Sequence, residues 1–160
     1  MIEMVSATMD HAADLASRLR PLDLAEIEAA SGRAPVDVLA ESLDRALWAE
    51  TLMIDGRPEA IGGLGTLSMM FGPGVPWLVG SDRLTERKRW FAVQSRHQVS
   101  RMLKSYHVLA NFVDARNRPA IAYLRWLGFT LESAAPWGHA GLPFHRFTMR
   151  RLNAGEPAHV

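Results

Sequence analysis

The sequence contains no cysteine. Disulfide frameworks, zinc ribbons, iron–sulfur clusters and cysteine nucleophiles are therefore excluded together. No run of about 18 apolar residues occurs, the length a membrane span requires. The amino end, MIEMVSATMDHAADL, lacks the basic start and apolar core of a signal peptide, which points to a cytoplasmic protein. Gly-x-Ser-x-Gly, Walker and Rossmann glycine patterns are all missing, so hydrolase elbows and these nucleotide loops are not expected. The histidines at 11, 97, 107, 139 and 159 fall at no metal-ligand spacing, and no metal site is expected.

What is present is a chain of 160 residues with 48% hydrophobic and 22% charged side chains. That length and composition fit one globular domain with a sufficient core. The net charge of +1 hides a split: residues 1–80 carry 12 acidic and 5 basic side chains, and residues 81–160 carry 5 acidic and 13 basic. Arg83 to Lys104 holds seven cations against Glu86 alone. Such a stretch either attracts phosphates or an acidic partner, or is a solvated face that neutralises the acidic half.

Residues 2–7 read as a strand. Helical patterns follow over 9–19, 22–30 and 35–48, the last opened by Pro35. Asp55–Gly56 is a hairpin signal between strands at 51–54 and 59–70, and Gly62, Gly63 and Gly65 mark a bulge or a close backbone approach. Residues 76–80 (PWLVG) form a short apolar strand, 86–104 a long helix, and 108–113 (VLANFV) a strand covered on both faces. Strand–helix–strand crosses over right-handed and sets two strands parallel. Asn117 then caps a helix with Pro119 in its first turn, and Gly128 ends it. Strands at 129–133 and 144–150 close the domain over residues 1–150, with a loop at 136–143 and a loose tail at 151–160.

This order of elements resembles the GNAT superfamily of acyl-CoA-dependent N-acyltransferases, and Asn117, Ala120 and Gly128–Phe129 match its Asn-x-x-Ala…Gly-Phe segment. Within it, Pro76–Gly80, Tyr123–Phe129 (YLRWLGF) and Pro143–Phe147 (PFHRF) resemble the Gp13-like group, the internal virion protein A of short-tailed bacteriophages. The resemblance implies an α/β (α+β) fold. Its sheet is mixed and mostly antiparallel, with six to seven strands, a central parallel pair and flanking helices. It implies acetyl-CoA as co-substrate. Backbone groups of Leu78 and Val79 would pair with the pantetheine arm, and Asn117 belongs to the same binding segment.

The family's pyrophosphate loop is glycine-rich, whereas this chain reads SDRLTERKR over 81–89 with no glycine after Gly80. Arg83, Arg87, Lys88 and Arg89 are the candidates to replace backbone amides there with charged side chains. The family's tyrosine acid falls on Leu124, so Tyr123, about 100° round the helix, is the candidate proton donor, or else a core tyrosine. Asp82 is a candidate general base or a helix cap, and His145 a candidate base or a structural histidine.

Two functions follow as expectations. One is an acyl-CoA-dependent N-acyltransferase-like protein acting on an unidentified amine in the bacterial cytoplasm. The alternative is a degenerate GNAT scaffold in the virion or its assembly. That alternative would meet other phage proteins through Met69–Met70–Phe71, Trp77 or the basic helix. Nucleic acid is disfavoured as a partner, because no helix-turn-helix pairing or aromatic strand platform accompanies the cations.

Overall fold

A computed structural model describes residues 1–68 and 70–153. Most of the expected tail (154–160), and Met69, lie outside the described residues. The elements run β1 (Ile2–Ser6), α1 (Met9–Ala16), α2 (Pro21–Ser31), α3 (Pro35–Asp44), β2 (Trp48–Ile54), β3 (Arg57–Thr66) and β4 (Gly74–Gly80). A 3₁₀ turn (Asp82–Arg87) leads into α4 (Lys88–Ser105). Then come β5 (Val108–Asp114), α5 (Arg118–Leu127), β6 (Thr130–Leu131), β7 (Ala135–Trp137) and β8 (Leu142–Arg150). One eight-stranded sheet has the order β1-β2-β3-β4-β5-β8-β6, with β7 paired to β8. All pairings are antiparallel except β4–β5. This is the mixed sheet expected, with the strand expected at 129–133 shortened to β6 and the sheet extended by the short strand β7.

Local chemistry explains most boundaries. Thr8 caps α1 by accepting from the His11 N–H. Helix α1 stops at Ala16, short of the expected Leu19, because Pro21 forces Arg20 into extended backbone (ψ 144°). Asp55 and Gly56 both take positive φ (51° and 78°), as a tight Asp-Gly hairpin between β2 and β3 requires. The strand glycines reflect close approach: a Cβ on Gly63 would lie 2.4 Å from the Trp48 carbonyl oxygen. The register shift falls instead opposite Leu52 and Met53, where Glu59 is the extra residue on β3. Ser81, and not Asp82, caps the 3₁₀ turn, accepting from the Arg83 N–H.

Three helices cover one face of the sheet and two the other. On the first face Ala12, Leu15 and Leu39 pack with Ile61, joined by Trp77 and Val79. On the second, Leu64, Leu109 and Val113 pack with Met102 of α4 and Ile121 of α5, closed by Phe129 and Phe147. A third cluster of Leu52, Ile54, Ala60 and Leu84 takes Trp90 and Phe91 at its edge. Strand alternation explains the division, since Trp77 and Val79 point to α1–α3 while Leu78 points to the opposite side.

The segment expected as a loop at 136–143 is in fact the β7–β8 hairpin, which folds over the sheet. Its Trp137 stacks on Phe112 at 4.2 Å between ring centroids. Its His139 and Ala140 N–H groups donate to the Ala30 and Ala29 carbonyls of α2 at 3.0 Å each. This contact clamps the carboxyl end of α2 in place.

Leu109 is fully buried at the start of the parallel pair. Leu109→Ala is expected to lower the unfolding free energy by about 3 kcal/mol, read from chemical denaturation. A loss under about 1 kcal/mol would mean that the core relaxes around the site.

Candidate functional site

The site begins where β4 and β5 part. They share one pair in register, Gly74 with Leu109. Beyond it no ladder joins them, and the Asn111 side chain spans the opening by donating Nδ2–H to the Pro76 carbonyl at 2.9 Å. The Gly80 N–H and C=O also turn away from β3, toward α2. Alternation along the strand therefore aims the Leu78 N–H and C=O into the same opening, between Pro76 and Gly80. Val79, by the same rule, is committed to β3 opposite Ile61. Of the two residues expected to meet a pantetheine arm, Leu78 offers backbone groups to the gap and Val79 does not.

Helix α2 closes the outer end of this wedge. The Arg20 N–H donates to the Gly80 carbonyl at 2.9 Å. The Gly80 N–H donates to Asp23 Oδ2, also at 2.9 Å. One turn further along the helix, Glu26 accepts from the Asp114 N–H at 2.7 Å and from Asn117 Nδ2 at 3.1 Å. Asp23 and Glu26, three residues or about 4.5 Å of helix apart, thus bond the diverging ends of both strands. Asn117 also caps α5 through Oδ1, which accepts from the Ala120 N–H at 3.3 Å. The cleft left between α2 and the end of β5 is about 70 Å³, lined by Leu22, Ala25, Asp114, Arg116 and Asn117. Ligand pockets for larger molecules are typically about 300–1,000 Å³.

Electrostatics differ across the three carboxylates gathered here. Asp23 is paired with Arg20, whose Nε and Nη2 lie 3.0 and 2.8 Å from Oδ2. Burial works against ionisation of Asp114, but hydrogen bonds from the Arg116 side chain and N–H outweigh it and hold the pKa below the usual aspartate value. Burial pushes Glu26 up to about 7. The Asp114 N–H and Asn117 oppose that rise, and the Asp23 and Asp114 charges add to it.

In the loop expected to cradle a pyrophosphate, Arg83 is engaged by carboxylates. Arg83 meets Asp55 at 3.1 Å, Glu86 at 3.3 Å and the buried Glu59 at 3.6 Å. Glu59 also receives Arg18 at 2.9 Å and the Ser81 hydroxyl. Arg87, Lys88 and Arg89 are exposed and form no ion pair among the described residues.

Tyr123 lies between the helices on the second face. Its hydroxyl donates to the Ser95 hydroxyl, and its ring stacks on Phe91 at 5.7 Å. Burial raises its pKa to about 12, while the Ser95 bond and the Arg20 charge act in the opposite sense. Leu124, where the family acid would fall, packs against the main core. Asp82 is exposed just past the end of β4. His145 is opposite Val113, one strand beyond β5, and its Nδ1 lies 2.8 Å from the Glu132 carbonyl oxygen. The structure puts Leu78 and Asn117 at the two sides of the wedge, Tyr123 between α4 and α5, Asp82 exposed past the end of β4, and His145 one strand beyond β5.

Sequence reasoning missed Arg20, Asp23 and Glu26. An Asp-x-x-Glu spacing in the first turns of a Pro-initiated helix was the available signal, and it reads equally well as a solvated acidic face.

No protein-family model matches this sequence, and no curated protein matches it. Solved structures do. The ribosomal-protein-S18-alanine N-acetyltransferase from Escherichia coli superposes with a TM-score of 0.68 at 16% identity, covering 100% of both chains. A putative acetyltransferase from Salmonella typhimurium, solved with its cofactor acetyl-CoA, gives 0.64 at 15%, covering 98% of each. A GNAT-family acetyltransferase from Streptococcus pneumoniae gives 0.59 at 12%, covering 94% of this chain and 100% of its own. The chain has the GNAT acetyltransferase fold.

Tyr106→Phe leaves Tyr123 as the single tyrosine of the two in the sequence. Its phenolate absorbance is expected to rise with a midpoint at about 12. A midpoint near 10.0, the ordinary value, would place the hydroxyl in water.

Proposed function

We propose that this protein binds an acyl-CoA, acetyl-CoA first among them, and passes the acyl group to an amine. The observation that carries the reading is the splay of β4 and β5, with the Leu78 N–H and C=O unpaired inside it. Those two groups suit the amides of a pantetheine arm, which the neighbouring strand would otherwise satisfy. Arg87, Lys88 and Arg89 supply exposed positive charge at the start of α4 for the phosphates, in place of a glycine loop. Arg83 is already neutralised by its carboxylates and contributes little. Tyr123, held protonated by burial and bonded to Ser95, keeps a proton available. Asp82, at the rim of the wedge, takes the part of base toward an incoming amine through water.

Gly80 offers nothing to the arm while Arg20 and Asp23 occupy its N–H and C=O. Full seating of the coenzyme therefore requires α2 to yield at that point.

A second reading is favoured by different observations. Leu67, Met70 and Phe71 at the β3–β4 turn are 81%, 79% and 78% exposed. A cluster of large apolar side chains in water marks a contact surface. With Leu124 in the core and α2 across the wedge, it supports a scaffold that mates with other proteins, such as those of a short-tailed phage particle. The Gp13-like runs at 76–80, 123–129 and 143–147 agree with that role. Trp77, another surface candidate, belongs instead to the α1–α3 core cluster.

Calorimetry with acetyl-CoA separates the two. The first reading expects measurable binding that replacing Arg87, Lys88 and Arg89 together with alanine weakens about tenfold or more. No heat and no thermal protection by acetyl-CoA would overturn it. Fixed copy number in isolated particles would then establish the second.

A further inference from the structure

Anything entering the wedge beyond Leu78 has to displace α2, so what fastens α2 decides when the site is accessible. Three carboxylates meet at the fastening: Asp23 and Glu26 of α2, and Asp114 at the end of β5. Two are neutralised. Asp23 holds Arg20, and Asp114 holds Arg116, with Nη2 to Oδ2 at 2.6 Å. Glu26 is the exception. Its oxygens accept from neutral donors, the Asp114 N–H at 2.7 Å and Asn117 Nδ2 at 3.1 Å, and no cation bridges it among the described residues.

The charged groups facing Glu26 are Asp23 and Arg20 along its own helix, Asp114 from β5, and Arg116 from the turn after β5. Both cations are engaged by the other two carboxylates. A charge on Glu26 is therefore set among negative neighbours in a poorly hydrated place, and a proton there removes both penalties. The hairpin that clamps the far end of α2 brings only His139, which packs against Gly32, six residues or about 9 Å of helix from Glu26.

We infer that α2 is a strap across the β4–β5 wedge whose latch is the protonation of Glu26, so that acid tightens it and neutral pH loosens it. The inference deepens the acyl-CoA reading and rests on it for its biological meaning, because it concerns access to the same wedge.

The sign follows from proton binding. Latched, Glu26 titrates at about 7; released into water it returns toward 4.5. The latched form holds a proton that the released form gives up. Latching is thus strongest below about pH 4.5, weakens as pH rises to about 7, and is constant above that.

Hydrogen exchange followed by mass spectrometry tests this on the intact protein. Protection of residues 21–31 and of the 135–142 hairpin is measured from pH 5 to 8 and corrected for the intrinsic pH dependence of exchange. In the wild type, protection is expected to fall by up to about tenfold per pH unit below 7 and to level off above it. Glu26→Gln, a neutral side chain whose carbonyl oxygen can accept the Asp114 N–H but whose amide nitrogen cannot accept from Asn117, is expected to show no slope, whatever its level of protection. A flat wild-type profile, or the same slope in Glu26→Gln, overturns the inference. Should the variant fail to fold, the Glu26 carboxyl titration followed by carbon NMR in the wild type decides: a midpoint near 7 supports the latch, and one near 4.5 overturns it. Coenzyme takes no part in these readouts. Absent acetyl-CoA binding would therefore overturn the functional reading alone, and a flat exchange profile the latch alone.

Discussion

Two parallel strands that separate after a single ladder pair leave backbone donors and acceptors aimed at a gap that neither can close. Buried backbone groups need partners, and the cost of leaving them bare is about 1–3 kcal/mol each. The rest of the molecule is arranged around that requirement. At the narrow end the Asn111 amide substitutes for a strand bond at Pro76. At the wide end one turn of α2 substitutes for the strand altogether, with Asp23 on Gly80 and Glu26 on Asp114. Between them Leu78 alone keeps its pair directed into the opening. Binding capacity and structural integrity are thus competing uses of the same few backbone groups.

The electrostatic asymmetry of the chain acquires a place in this picture. The acidic amino-terminal half supplies the carboxylates that fasten strand ends, as Asp23, Glu26 and Glu59 do. The basic half neutralises part of it: Arg83 reaches Asp55 and Glu59, and Arg101 reaches Glu50 at 3.1 Å while stacking on Trp48. Arg96 is spent on Trp126, 4.1 Å from its ring. The run Arg87–Lys88–Arg89 is left over, at the helix that follows the wedge. Of the two meanings the basic stretch had as a sequence, Arg83 and Arg101 realise the neutralising one, and the phosphate-binding one is what is proposed for the exposed run.

Most of the architecture was legible because each element carried its own punctuation. Asp55–Gly56, Pro35, the Asn117 cap and Gly128 (φ 104°) act locally, and local rules place them correctly. The parallel pair was legible because an apolar strand, a helix and another apolar strand have one favoured handedness. The hairpin at 135–142 was not, since β7 is three exposed residues placed by distant partners, β8, Phe112 under Trp137, and α2 at the turn. The site was readable by half. Leu78 and Val79 were both named from the family resemblance, and strand alternation separates the two. The α2 contacts did not, because a carboxylate that accepts from a distant backbone N–H looks in sequence like any exposed acid. Tyr123 was named from its neighbourhood to Leu124, but its place beside Ser95 and Phe91 depends on how α4 and α5 meet.

The central claim is that the outward edge of β4 is divided, open at Leu78 and covered at Gly80. Residue-resolved amide exchange of the uniformly nitrogen-15-labelled protein measures this directly. The account predicts an Leu78 amide exchanging close to its intrinsic rate and a Gly80 amide, two residues away on the same edge, strongly protected. Equal protection at both positions, or none at either, would contradict it.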